Sequence, residues 1–174
     1  KIKVTKKLCN HRLNCPTYIC SKFKEQIIMK YSGSLEINKE LELVASLFAD
    51  PNSLQAYQDG FIKKELQSGQ EGKEGAISKM YYKYGKKEMV LTETIISNNL
   101  PHSFEANYHH KHMDNSMKCT FSKITTNKTL YQYEFEYTRI DWFLPKLFAI
   151  LFPGMYRKQG EKWMKQFKEF VEKQ

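Results

Sequence analysis

Between residues 130 and 137 the chain reads LYQYEFEY, with Tyr131, Tyr133, Phe135 and Tyr137 alternating with Gln132, Glu134 and Glu136. Strict period-two alternation predicts a strand with one apolar face and one wet face. The same period marks a first strand in YSGSLEI, where Tyr31, Gly33, Leu35 and Ile37 share a face. The period then lengthens. Leu41, Val44, Ala45 and Phe48 recur at helical spacing over 39–49, with Asn38 placed to cap. Asp50 and Pro51 suit the start of a second, short helix that carries Leu54 and Tyr57 and ends near Gly60.

From Phe61 to Arg139 the pattern returns to strands, at 61–67, 76–84, 87–97, 103–112, 116–125 and 129–139. They are broken by SGQEGKEG, GKK, NNLPH, DNS and TNK. Breaks this short imply hairpins, hence an antiparallel meander. The chain closes with a long amphipathic helix. Tyr156, Gly160, Trp163, Phe167, Phe170 and Val171 form one stripe, and Glu161, Lys162, Lys165, Glu169 and Glu172 lie opposite. A glycine in the buried stripe predicts close approach of the helix backbone to its support. Pro153 marks a restart after the apolar run WFLPKLFAILF, which is read as burial at the sheet rim.

Composition changes this picture in one respect. The 174 residues carry a net charge of +9, suggestive of nucleic acid until it is located. Residues 1–28 supply +6 of it, leaving +3 for the rest, and nucleic acid is not an expected partner. The same segment holds Cys9, Cys15 and Cys20, whose spacing lacks the close pair of a zinc knuckle. It shows no regular period, so residues 1–28 are read as an N-terminal extension dispensable for the fold. Met29 is a candidate start, and 29–174 is one domain. No apolar run is long enough for a transmembrane span, and a reduced, cytoplasmic setting is the expectation.

Candidate chemistry is sparse. His109, His110, His112 and Asp114 cluster, but a third metal ligand is missing, so solvated hairpin histidines are expected and no metal or cofactor. The glycines of SGQEGKEG are followed by no helix and read as a hairpin loop rather than a phosphate cradle. There is no nucleophile motif. Cys119 alternates with Met117 and Phe121 and reads as core. Lys63, Lys64, Lys86, Lys87 and Lys118 are scattered as on a solvated face.

Three stretches carry a resemblance: MKYSGSLEINKELELVASLFADPNSLQAYQDGF, LTETIISNNLPHSF and LFPGMYRKQGEKWMKQFKEFVEK. They resemble the START-like (SRPBCC, polyketide cyclase/dehydrase and lipid-transport, Bet v 1-like) superfamily in its small bacterial members. Many members have Trp where this chain has Tyr57. The resemblance covers about residues 29–174 and implies an α+β helix-grip fold. In that fold a curved antiparallel sheet of about seven strands grips the C-terminal helix, two short helices follow strand 1, and a cavity lies between sheet and helix.

Taking the more apolar face of each strand as inward places Met80, Tyr82, Tyr84, Phe104, Tyr108, Phe121, Phe135 and Tyr137 on the cavity. Tyr57 and Leu91 join them, and Leu147, Leu151 and Tyr156 close it. Three functions follow as alternatives. The first is non-enzymatic binding of a small hydrophobic or amphipathic ligand. The second is a cyclase or dehydrase acting on a polyketide-like substrate. The third is a protein-interaction module like the chaperone activators.

The sharpest expectation concerns Glu93. In KEMVLTETI the face Met89, Leu91, Glu93, Ile95 is more apolar than Val90, Thr92, Thr94, Ile96, which carries a carboxylate into the pocket. There it loses hydration and needs a buried cation or several donors; Tyr82 and Tyr108 are the candidate donors. The opposite phase, or a bulge, leaves it in water. Inside, it is the group that orients a ligand, or the acid/base of an enzyme.

Overall fold

The computed structural model describes residues 28–141 and 153–174. The described chain runs β1 (Met29–Ile37), α1 (Leu41–Ala49), a single 3-10 turn (Pro51–Ser53) and α2 (Leu54–Tyr57). It continues through β2 (Phe61–Ser68), β3 (Ile77–Tyr84), β4 (Lys87–Asn99), β5 (Ser103–His110), β6 (Met113–Thr125) and β7 (Lys128–Ile140) to α3 (Pro153–Glu172). The seven strands form one antiparallel sheet in the order β1-β7-β6-β5-β4-β3-β2. Only β1 leaves chain order, pairing with β7 in an unbroken register from Met29↔Tyr137 to Ile37↔Thr129.

The strands form where alternation predicts them, and the inner face is the apolar one. Tyr131, Tyr133 and Phe135 are buried, as are Met117, Cys119 and Phe121 on the neighbouring strand. Helix α3 lays Gly160, Met164, Phe167 and Val171 against this face, with Trp163 and Phe170 half-buried beside them. Met164 belongs to the stripe although its flexible thioether did not single it out in the sequence. Phe48 of α1 completes the core, meeting Phe104, Phe121, Tyr131 and Phe167 edge to face.

Two boundaries differ from the sequence expectation. Asn38 does not cap α1. Its backbone N–H donates to Glu172 Oε1 at 2.8 Å, tying the first helix to the end of α3, while Glu40 occupies the cap position. The β5–β6 turn is Lys111–His112, not DNS. Asp114 stays in the strand because it pairs with Arg139 of β7, whose Nε donates to Oδ2 at 2.6 Å and Nη2 to Oδ1 at 3.0 Å. A forked ion pair outweighs the turn preference of Asp. The turn brings the His110 and His112 rings together edge to face at 5.8 Å, and His109 pairs with Asp114.

Two glycines on the inner face make room for rings. A Cβ on Gly160 would lie 2.9 Å from Tyr31 Oη, so the predicted close approach of the helix is present. Gly33 sits opposite Tyr133, whose ring lies over it. A Cβ there would collide with Tyr133 Oη and stand 2.6 Å from Cζ. Gly33→Val is therefore expected to cost about 2 kcal/mol despite the better strand propensity of valine, because the ring must leave its site. Urea melts of Gly33→Val and of Gly33→Val/Tyr133→Ala test this. Equal losses in Gly33→Val and in a Tyr133-independent site such as Ser34→Val would refute it.

Candidate functional site

Between the sheet and α3 the packing stops short and leaves a cavity of about 460 Å³. That size suits one small organic molecule. Its wall is built by rows of cross-strand partners. The register Ser78↔Glu93↔Tyr108↔Asn115↔Tyr137 carries one row from β3 to β7 across the inner face. The next row on one side holds Met80 and Leu91, and that on the other Ile95, Met117 and Phe135. A polar row therefore crosses an otherwise apolar wall.

Of the residues expected at the cavity, Tyr57, Met80, Tyr82, Tyr84, Leu91, Glu93, Phe104, Tyr108, Phe135 and Tyr137 line it. Phe121 points inward but is packed behind the wall, stacked on Tyr131 at 4.7 Å. Leu147 and Leu151 lie outside the described residues, as does the side chain of Tyr156. So do residues 1–27, which make up all but one residue of the expected extension.

Glu93 is inside, only 4% exposed, and the register of β4 settles its phase: Leu91, Glu93 and Ile95 are buried and Val90 and Ile96 exposed. A cation and one donor compensate it. The Tyr108 hydroxyl donates to Oε1 at 3.1 Å. The Lys64 ammonium lies against Oε2 as an ion pair without hydrogen-bond alignment. Tyr82, the other candidate donor, instead donates to Gln58 Oε1 at 2.6 Å. Burial first, and then the nearby Glu93 carboxylate, push the Tyr108 phenol well above its usual range, so it remains a proton donor at neutral pH. Burial also raises Tyr82 and Tyr57, and the charge of Glu93 bears on both. Of these three phenols Tyr108 is hydrogen-bonded to the carboxylate, and Tyr82 is committed to Gln58.

Lys64 was read from the sequence as a solvated lysine, and the structure corrects this. Phe61 faces inward opposite Tyr82, so simple alternation would send Lys63 inward and Lys64 out. A register shift between Phe61 and Lys63 reverses the phase: Lys63 pairs with Tyr81 on the outer face and Lys64 with Met80 on the inner. Lys63 then lies 4.9 Å over the Tyr81 ring, outside. A bulge adds one residue and flips every side chain after it. Its sequence signal, an apolar Ile62 left 48% exposed, is legible only once the register is known.

A buried ion pair is a poor device for stability, since packed apolar groups of similar volume do as well or better. Placed on a cavity, it is a candidate for a functional group. Among the described residues no three His, Cys, Asp or Glu side chains converge as metal ligands, and no helix is long and apolar enough to cross a membrane.

A curved antiparallel sheet closed by a C-terminal helix over a cavity defines the helix-grip class of proteins. The chain has the START-like version of that fold, as solved structures show. An aromatase/cyclase, Zhui, from Streptomyces sp. R1128 superposes with a TM-score of 0.69 at 8% identity, covering 83% of this chain and 94% of its own. A START superfamily protein from Mycobacterium smegmatis gives 0.63 at 10% identity, covering 82% and 94%. The major latex-like protein 151 of Panax ginseng gives 0.63 at 12%, covering 82% and 96%. No protein-family model matches the sequence. No curated protein matches it significantly.

Proposed function

We propose that this protein binds a small hydrophobic or amphipathic molecule in the cavity between sheet and C-terminal helix, as a carrier or receptor rather than a catalyst. The observation that carries this reading is the cavity itself, about 460 Å³ and walled largely by apolar and aromatic side chains, with one buried polar cluster. A sheet and helix that needed only each other would pack to the density of other protein interiors and leave no such space.

Native mass spectrometry of the protein as purified should show a co-purified ligand. Nile red, an uncharged apolar dye, should bind with a fluorescence gain at one site per chain. Phe135→Ala removes a ring from the wall and should weaken the dye about tenfold, the equivalent of ~1.4 kcal/mol of lost contact. No fluorescence gain at saturating dye, with no mass adduct, would defeat the reading.

One observation favours a second reading. Glu93, Tyr108 and Lys64 place a carboxylate, a neutral phenol and an ammonium together in an apolar space, which is a usable acid/base set. The fold is also that of an aromatase/cyclase. Under this reading the protein is a cyclase or dehydrase, and the cavity folds a polyketide-like substrate against Glu93. Turnover of such substrates, abolished in Glu93→Gln, separates the two.

A further inference from the structure

The charges on the cavity wall are few and unequal. Among the described lining residues the charged side chains are Lys64, Glu71 and Glu93, and Glu71 is exposed on the loop between β2 and β3. Among the described lining residues the interior therefore holds one acid and one base, and the two are not equally committed to the cavity. Glu93 stands on β4, two strands in from the edge of the sheet, and is 4% exposed. Lys64 stands on β2, the last strand of the sheet, and its side chain keeps 15% exposure. Its four-carbon stem allows the ammonium to turn out to solvent at little cost, as long basic side chains do at apolar boundaries. Glu93 Oε2, the oxygen facing Lys64, has no aligned hydrogen bond.

Tyr108 adjoins this carboxylate, and further along the cavity the wall is aromatic. Tyr108 holds Oε1, and Tyr82 is stacked between Tyr84 at 6.4 Å and Trp163 at 6.0 Å. A buried carboxylate attracts a cation and repels an anion, and the aromatic wall offers a surface to an apolar body. An anionic head group would find no uncommitted cation among the described lining residues. To enter, it would have to take Lys64 from Glu93 and strand that carboxylate without a partner.

Resting on the reading of the cavity as a ligand site, we propose that its ligand is an amphiphile bearing a protonated amine. The amine takes the place of the Lys64 ammonium on Glu93, while the apolar body lies along the aromatic wall. Lys64 is a stand-in that keeps Glu93 neutralised when the cavity is empty and swings to solvent when it is filled. The exchange replaces one ammonium by another, so the charge of the cavity is the same before and after.

The test uses the full chain, Nile red as reporter, and two competitors with the same apolar chain and opposite heads, decylammonium and decanoate, both below micelle formation at pH 7. Decylammonium should displace the dye at a concentration at least tenfold lower than decanoate. In Glu93→Gln the remaining interior charge is Lys64, and the preference should disappear or invert, with decylammonium weakened at least tenfold and decanoate strengthened. Lys63→Gln, on the outer face of the sheet, should keep the order and shift both competitors less than about threefold. Dye binding and a cooperative melt certify each variant. Equal displacement by the two heads in the unaltered protein, or a preference for decanoate, overturns the proposal without any variant. So does an unchanged ratio in a folded Glu93→Gln. Failure of Nile red to bind the unaltered protein defeats the ligand reading, and this inference with it. Dye binding without head-group preference defeats this inference alone.

Discussion

Phe167→Ala is expected to lower stability by about 3–5 kcal/mol, the range for emptying a large aromatic site in a core. Phe167 is 1% exposed, and its ring meets Tyr57 at 4.9 Å and Phe48 and Tyr131 at 5.8 Å each. These partners come from α1, α2 and β7, so this one side chain joins α3 to every layer it touches. Phe167 and these three rings also line the cavity, so the substitution enlarges a space that is already open. At roughly 3 °C per kcal/mol for a chain of this size, the melting temperature should fall by about 10 °C. Thermal melts followed by far-ultraviolet circular dichroism provide the check. A loss below ~1 kcal/mol would mean that α3 is held chiefly by its other contacts.

Lys64→Met should be nearly as damaging, although it exchanges a lysine on an edge strand for an apolar side chain of similar length. The substitution leaves the Glu93 carboxylate buried beside Tyr108 with its cation gone, and breaking a buried pair from one side costs about 3 kcal/mol. Glu93→Gln should cost much less, because the lysine left over can reach water. The double change Lys64→Met/Glu93→Leu removes both charges and should recover most of the loss, or exceed the unaltered protein. Urea denaturation of the four proteins closes the cycle. If Lys64→Met and Glu93→Gln were equally mild, the pair would be solvated, and Glu93 would not be the desolvated anchor that the proposed amine needs.

This asymmetry shows where sequence reasoning stopped. Alternation over 130–137 was enough to predict β7 and its inward rings, because a half-buried strand writes its two faces directly into the chain. The glycine in the apolar stripe of the last helix was enough to predict a close contact, found against Tyr31. Even Glu93 could be placed as a carboxylate on the more apolar face of its strand, although two alternatives stayed open there, since Val90 and Ile96 make the other face partly apolar as well. Which side chains share the apolar face of an element is a local property of the chain, and residues a few positions apart determine it.

Lys64 was not accessible in this way. Its direction depends on one extra residue at Ile62, and that bulge exists only because β2 must keep pairing with β3. Asp114 likewise reads as a turn residue until Arg139, 25 positions on, claims it for β6. Asn38 reads as a cap until the far end of α3 takes its N–H. The cavity is of the same kind. The apolar lining residues are ones that a filled core would also use, and the space among them is set by how far the curved sheet stands from α3. Local periodicity determined which faces are apolar; only the long-range register decided that a lysine and a glutamate meet there, and that the faces do not quite close.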